Sequence, residues 1–251
     1  MEVTPPREVN IKPGSRAADH SPRAIAFVLP LLPGKEAELD SFAKQVESRR
    51  SEYDEYRREL GITREAAFLQ TTAQGGLVVA YRELDSSIPV QPSRASSFAE
   101  WWADRMSALH GFDPATPGQP QVELLIRQRP PRQGRLHASA SPLLPNKSGR
   151  LQEWSSELDG IHSAEFEESL RRLGHGLTIF VQHTPQVDLV ITVVEGAAPA
   201  GALAGLATSN HPFDRWQIQQ IADQTGLDFA DPSTAPNRPL WSSADVAVSA
   251  T

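Results

Sequence analysis

The sequence predicts an α+β protein in which one β-α-β-β-α-β unit is used twice in tandem. Three observations carry that expectation. PLLPGK at residues 30–35 returns as PLLPNK at residues 142–147. Later segments keep step with it: FLQTT at 68–72 matches FVQHT at 180–184, and SSFAEWW at 96–102 matches HPFDRWQ at 211–217. Single residues fall into line as well, with Leu60-Gly61 against Leu173-Gly174, Trp101 against Trp216 and Gly111 against Gly226. An offset that stays nearly constant over this length marks an internal duplication.

The elements of the first copy can be read in order. Residues 24–29 (AIAFVL) form a short apolar run closed by Pro30 and Pro33, as expected of a buried strand and a turn. Between 35 and 60, Leu39, Phe42, Val46, Tyr53, Tyr56 and Leu60 recur at helical spacing and predict one long amphipathic helix. Gly61 is suited to end it. Residues 66–72 and 77–83 read as two strands joined by Gln74-Gly75-Gly76, a hairpin. A second helix starts at the Ser96-Ser97 cap, with Phe98, Trp101, Arg105 and Leu109 on one face, and stops at Gly111. Residues 122–126 (VELLI) predict a fourth strand.

The second copy repeats the order. Residues 136–141 match the first strand, and 147–173 the long helix, with Leu151, Trp154, Leu158, Phe166, Leu170 and Leu173 on its stripe. The hairpin falls at 178–183 and 189–195, and the second helix at 212–224. A final strand is expected in the tail, at Leu240-Trp241 or at 245–248. The boundaries that follow are a draped or disordered arm over 1–22, a first ferredoxin-like repeat over 23–128, a second over 129–231, and a C-terminal tail over 232–251. A four-stranded sheet with helices on one face must bury its other face. Two such sheets facing each other would form a barrel with helices outside.

Composition narrows the function classes. The 251-residue chain carries a net charge of −7, and its pI is about 5.5, which opposes nucleic acid or an anionic membrane as partner. It has no cysteine, so disulfides, thiolate nucleophiles and Cys-ligated metals are excluded. That suits a reducing cytoplasm, where the chain is expected. No apolar run reaches the ~18 residues of a transmembrane helix. The Ala, Arg, Gly and Pro bias points to a bacterial source. No metal is expected, because no HxH or HExxH spacing occurs; no cofactor is expected, because the GxGxxG and Walker patterns are absent; and no GxSxG nucleophile elbow occurs.

On the repeated segments quoted above, the chain resembles the dimeric α/β-barrel superfamily, here fused as two lobes of a pseudo-dimeric α/β barrel. That superfamily includes cofactor-free antibiotic-biosynthesis monooxygenases and small polyketide cyclases. The resemblance covers roughly residues 23–229 and implies a ligand cavity. It does not fix an activity.

Candidate site residues come from comparing the copies. Ile25, Phe27 and Leu29 align with His137, Ser139 and Ser141, and alternation puts each triplet on one sheet face. The small residues Ala24, Ala26, Val28 and Leu136, Ala138, Ala140 suit packing under helices, so the triplets are expected to face the barrel interior. The second lobe would then hold a polar wall. His137 is the first candidate for proton transfer, with His183 beside the hairpin as its partner; each has an ordinary structural reading next to it. Ser139, Ser141, Gln182 and Gln70 are candidates to orient a substrate oxygen, the glutamines alternatively bonding within the fold. Tyr81 interrupts an apolar pattern and offers a hydroxyl. Phe27, Trp154 and His162 are candidate pocket walls.

The expected function is a cofactor-independent enzyme acting by His proton transfer on an apolar, polyketide-like small molecule, as cyclase or isomerase. A cofactor-independent monooxygenase and a non-catalytic ligand-binding or scaffold barrel are the alternatives. Closure within one chain allows a monomer, and a homodimer stays open.

Overall fold

The computed structural model describes residues 23–85, 96–111, 121–128, 134–228 and 237–243. The first half runs β1 (Arg23–Pro30), α1 (Glu36–Ser48), α2 (Arg50–Glu59), β2 (Ile62–Thr72), β3 (Gly75–Leu84), α3 (Ser97–His110) and β4 (Gln121–Gln128). The second runs β5 (Arg135–Pro142), α4 (Ser148–Asp159), α5 (Ser163–Leu173), β6 (His175–His183) and β7 (Leu189–Gly196). A 3₁₀ turn (Pro199–Gly201), α6 (Ala202–Ala207), α7 (Pro212–Thr225) and β8 (Arg238–Ser242) follow. The arm expected over residues 1–22 and the alternative final strand at 245–248 lie outside the described residues.

The strands form two four-stranded antiparallel sheets, in the orders β1-β3-β2-β8 and β4-β6-β7-β5. Each sheet takes its fourth strand from the other half of the chain. β8, at the C-terminal end, pairs with β2, while β4 pairs with β6. The strand at 122–126 therefore completes the second half's sheet rather than the first's. The outer edges of β2 and β6 would otherwise present unpaired N–H and C=O groups, and the exchanged strands cover both.

Each long apolar stripe is carried by two helices. Arg49, at φ −107° and ψ 33°, separates α1 from α2 while its guanidinium lies 4.4 Å from the Trp101 ring centroid. Residues 160–162 make the corresponding break between α4 and α5.

The core has three parts. Between the sheets lie Ala24, Ala26, Val28, Phe68 and Tyr81 from one side, and Leu136, Ala138, Ala140, Phe180 and Val193 from the other. The helix side of the first sheet packs Phe42, Tyr53, Phe98, Trp102 and Trp241, with Phe27 and Leu29 against them. The helix side of the second packs Trp154, Leu158, Phe166 and Phe213.

This reverses the expected faces of the first strands. The alanine face of β1 and β5 turns inward, and the Phe27/Leu29 face of β1 turns to the helices. On β5, His137 and Ser139 alternate with the inward Leu136, Ala138 and Ala140, and pair in register with Val194 and Thr192. The reason is close approach. β1 and β5 are grasped along their backbones by side chains of the opposite sheet, and the alanines of this face leave room for that grip. The Val28 N–H donates to Gln182 Oε1 (2.6 Å) and Gln182 Nε2 donates to the Val28 carbonyl (3.1 Å). Gln70 does the same to Ala140, at 2.8 and 2.7 Å. Arg64 adds a cross-sheet ion pair, donating to Glu83 (2.9 Å) and Glu195 (3.0 Å).

Candidate functional site

A cavity of about 30 Å³ lies between the second sheet and its helices. Leu177 and Ile179 of β6 and Val190 and Thr192 of β7 form its floor. Its walls are Leu151 and Trp154 of α4 and Gln217, Ile221 and Gln224 of α7, and Leu203 and Leu206 of α6 cover it. The volume exceeds the roughly 10–15 Å³ that one water needs.

The local sequence explains how α7 presents its two glutamines. Pro212 opens the helix at a position where no N–H is required, and Gly226, in the left-handed conformation (φ 72°), closes it. Asp214 ties the helix start down. It is fully buried and accepts from Ser169 (2.6 Å), Ser209 (2.5 Å) and Arg172. Burial pushes its carboxyl up, but those three donors outweigh it and hold the group below its ordinary range. At the other end, the Gln224 carbonyl accepts from the Leu144 N–H (2.8 Å).

That last bond locates Gln224 against the first half. Leu144 belongs to the second PLLP turn, and in the first turn Leu32 donates to the Leu109 carbonyl (2.9 Å). Leu109 and Gln224 also stand at the same distance before their capping glycines, Gly111 and Gly226. The same step puts Gln217 where the first half has Trp102. The buried face of α3 is Phe98, Trp102, Met106 and Leu109; the second half has Phe213, Gln217, Ile221 and Gln224. The first half fills the space with rings: Trp102 lies 5.0 Å from Phe42, 5.6 Å from Tyr53 and 5.7 Å from Trp241. The second half leaves a void.

Its polar groups are left over too. Gln224 is 1% exposed, and neither Nε2 nor Oε1 has a hydrogen-bond partner among the described residues. Trp154 Nε1, also on the lining, is likewise buried without one. On the helix side of the first sheet Tyr53 Oη donates to Glu65 (2.7 Å) and Arg82 donates to its second oxygen (2.8 Å), while Trp241 Nε1 is buried without a partner among the described residues. Burial, then the Glu65 charge, pushes the Tyr53 phenol well above its ordinary range. Chemically, the cavity offers neutral donors and an acceptor in apolar walls. Among the described residues its lining contains no acid, base or cation.

Of the residues singled out from the sequence, Trp154 alone lies on this lining. His137 is buried, packs 5.5 Å from the Phe68 ring, has an Nδ1 without a partner among the described residues, and is pushed down to about 4 by burial. Ser139 and Ser141 are half-buried on β5. His183 is exposed; its Nδ1 lies 3.0 Å from Asp188 and its Nε2 3.9 Å from Glu123. His162 precedes α5, with Nδ1 2.5 Å from Glu165 and its ring 4.6 Å from that of Trp216. Tyr81 lies between the sheets and donates to Glu83 (2.9 Å). Phe27 packs on the helix side of the first sheet under the Arg82 guanidinium, 5.1 Å away. Gln70 and Gln182 hold the opposite sheet's backbone, and Asn237 Nδ2 bridges Gln70 Oε1 (2.9 Å) and the Ala138 carbonyl (2.7 Å).

The sequence reading missed Gln217 and Gln224. The signal was there: extending the Trp101/Trp216 and Gly111/Gly226 alignment along the helix shows two core positions that change from Trp and Leu to Gln.

No protein-family model matches the chain, and no curated protein does. A solved structure from Fusobacterium nucleatum, described as a "putative monooxygenase", superposes with a TM-score of 0.50 at 8% identity. The match covers 89% of this chain and 94% of that one. At this identity the likeness is one of fold, a mixed α+β arrangement with two four-stranded antiparallel sheets. No helix among the described residues is long and apolar enough to cross a membrane.

Proposed function

We propose that this chain is a small-molecule-binding barrel protein whose working pocket is the cavity of the second half. In this reading the fold is two tandem ferredoxin-like repeats with facing sheets and exchanged final strands. The first half has become support. The observation that carries the reading is Gln224, a buried amide without a partner in an apolar cavity, where the first half has Leu109. An unsatisfied buried amide costs about 1–3 kcal/mol per group, and a ligand that pairs with it removes that cost. The ligand is small, uncharged and largely apolar. A polyketide-like molecule with a carbonyl belongs to that class. The cysteine-free chain suits a reducing cytoplasm.

A second reading is a cofactor-independent monooxygenase, in which the bound substrate reacts with dioxygen. It is favoured by the fold likeness to the Fusobacterium protein of that description and by the apolar walls, which would shelter an oxygen-reactive enolate. Proton transfer by His137 or His183 stays outside both readings, because neither residue lines the cavity.

An NMR titration with small uncharged cyclic molecules tests the binding reading. Methyl shifts should concentrate at Leu177, Val190, Leu206 and Ile221, and shifts confined to the first half would refute it. Dioxygen uptake on adding a bound ligand separates the oxygenase from the binder.

A further inference from the structure

We propose that the second-half cavity selects ligands presenting a hydrogen-bond donor and an acceptor side by side, the edge of a lactam or other cis amide. The inference rests on the reading of that cavity as the ligand site and adds the ligand's chemical class. A primary amide carries an acceptor oxygen and a donor nitrogen on one carbon. On Gln224 both are buried and both lack a partner among the described residues. A group with only a carbonyl would satisfy the nitrogen and strand the oxygen. A lactam edge satisfies both at once, its N–H donating to Oε1 and its carbonyl accepting from Nε2. Trp154 Nε1, the other unpartnered donor on the lining, can give the same carbonyl a second bond.

Charge is selected against. Among the described residues the lining holds no ionised group to pair with an ammonium or a carboxylate, and an unpaired charge is strongly disfavoured in such walls. Size sets the mode of entry. About 30 Å³ takes little more than the polar edge of such a molecule. The ring body then displaces Leu203 and Leu206 of α6, a helix of six residues that forms the cover.

The experiment uses four five-membered rings of nearly one shape: 2-pyrrolidinone, cyclopentanone, cyclopentane and pyrrolidine, the last as its cation at pH 7. Affinity for the full chain is measured by NMR titration. The expected order is 2-pyrrolidinone, then cyclopentanone, then cyclopentane, with about five- to tenfold between neighbours and no binding of the pyrrolidinium ion. Replacing Gln219, which lies on the exposed side of α7 and donates to Asp223, by Met should leave the order unchanged, whereas Gln224→Met should bring the lactam down to the ketone. If cyclopentane binds as tightly as the lactam, the proposed ligand class is wrong while the pocket stands. If none of the four perturbs the cavity methyls, the pocket reading falls with it.

Discussion

Gln182 holds Val28 by both of its backbone polar groups, with the Val28 N–H 2.6 Å from Oε1 and the Val28 carbonyl 3.1 Å from Nε2. One side-chain amide thus replaces one rung of a β-ladder across the gap between the sheets. Gln70 repeats the device on Ala140. The edges of β1 and β5, which have no ladder neighbour on that side among the described residues, are closed in this way.

Gln182→Leu keeps the volume and removes the rung. It leaves a buried N–H and a buried C=O at Val28, each costing about 1–3 kcal/mol. Urea denaturation should show a loss of that size, and amide exchange at Val28 should quicken. An unchanged midpoint would mean that packing alone holds the sheets together.

Arg64 joins Glu83 and Glu195, one carboxylate from each sheet. Burial lowers the basicity of its guanidinium, but the bond to Glu195 and the two carboxylate charges more than offset this, so it stays charged. Arg64→Met strands two carboxylates in the core and should destabilise the fold by about 3–5 kcal/mol. Chemical denaturation at neutral pH reads this directly.

His137 supplies a pH signature. Burial against Phe68 pushes it down to about 4, from an ordinary 6.5. Between those values the unfolded chain binds a proton that the folded chain refuses, so folding loses ground as acidity rises. The contribution is complete above about pH 6.5 and is lost as pH falls through about 4, a change of about 3 kcal/mol. His137→Leu should flatten the stability profile over that window. Some slope will remain, because burial also lowers His110 and His175. A variant profile parallel to the wild type would remove His137 from the account.

Two four-stranded antiparallel sheets with helices were legible in the sequence, but the exchange of fourth strands and the division of each long helix in two were not. PLLP, the hairpins and the paired capping glycines all fall where the alignment of the copies puts them. The sequence showed the site poorly, for three physical reasons. Alternation along β1 and β5 shows which side chains share a face, not which way that face turns, so Phe27 was assigned to the wrong side, while the His137 ring does reach Phe68 between the sheets. The recurrence of Gln70 and Gln182 was visible, but their partners are backbone atoms on strands distant in sequence, which no local spacing encodes. The buried face of α3 was read through Trp101 and Arg105 instead of Trp102 and Met106. That shift of one residue hid the correspondence of Leu109 with Gln224.

The most direct measurement is the stability and ligand affinity of Gln224→Leu, which gives the second half the first half's residue. The expected result is a gain of about 1–3 kcal/mol, because an unpaired amide is exchanged for an apolar group, together with lactams that bind no better than the matching ketones. A destabilised variant, or one that still binds lactams as the wild type does, would contradict it.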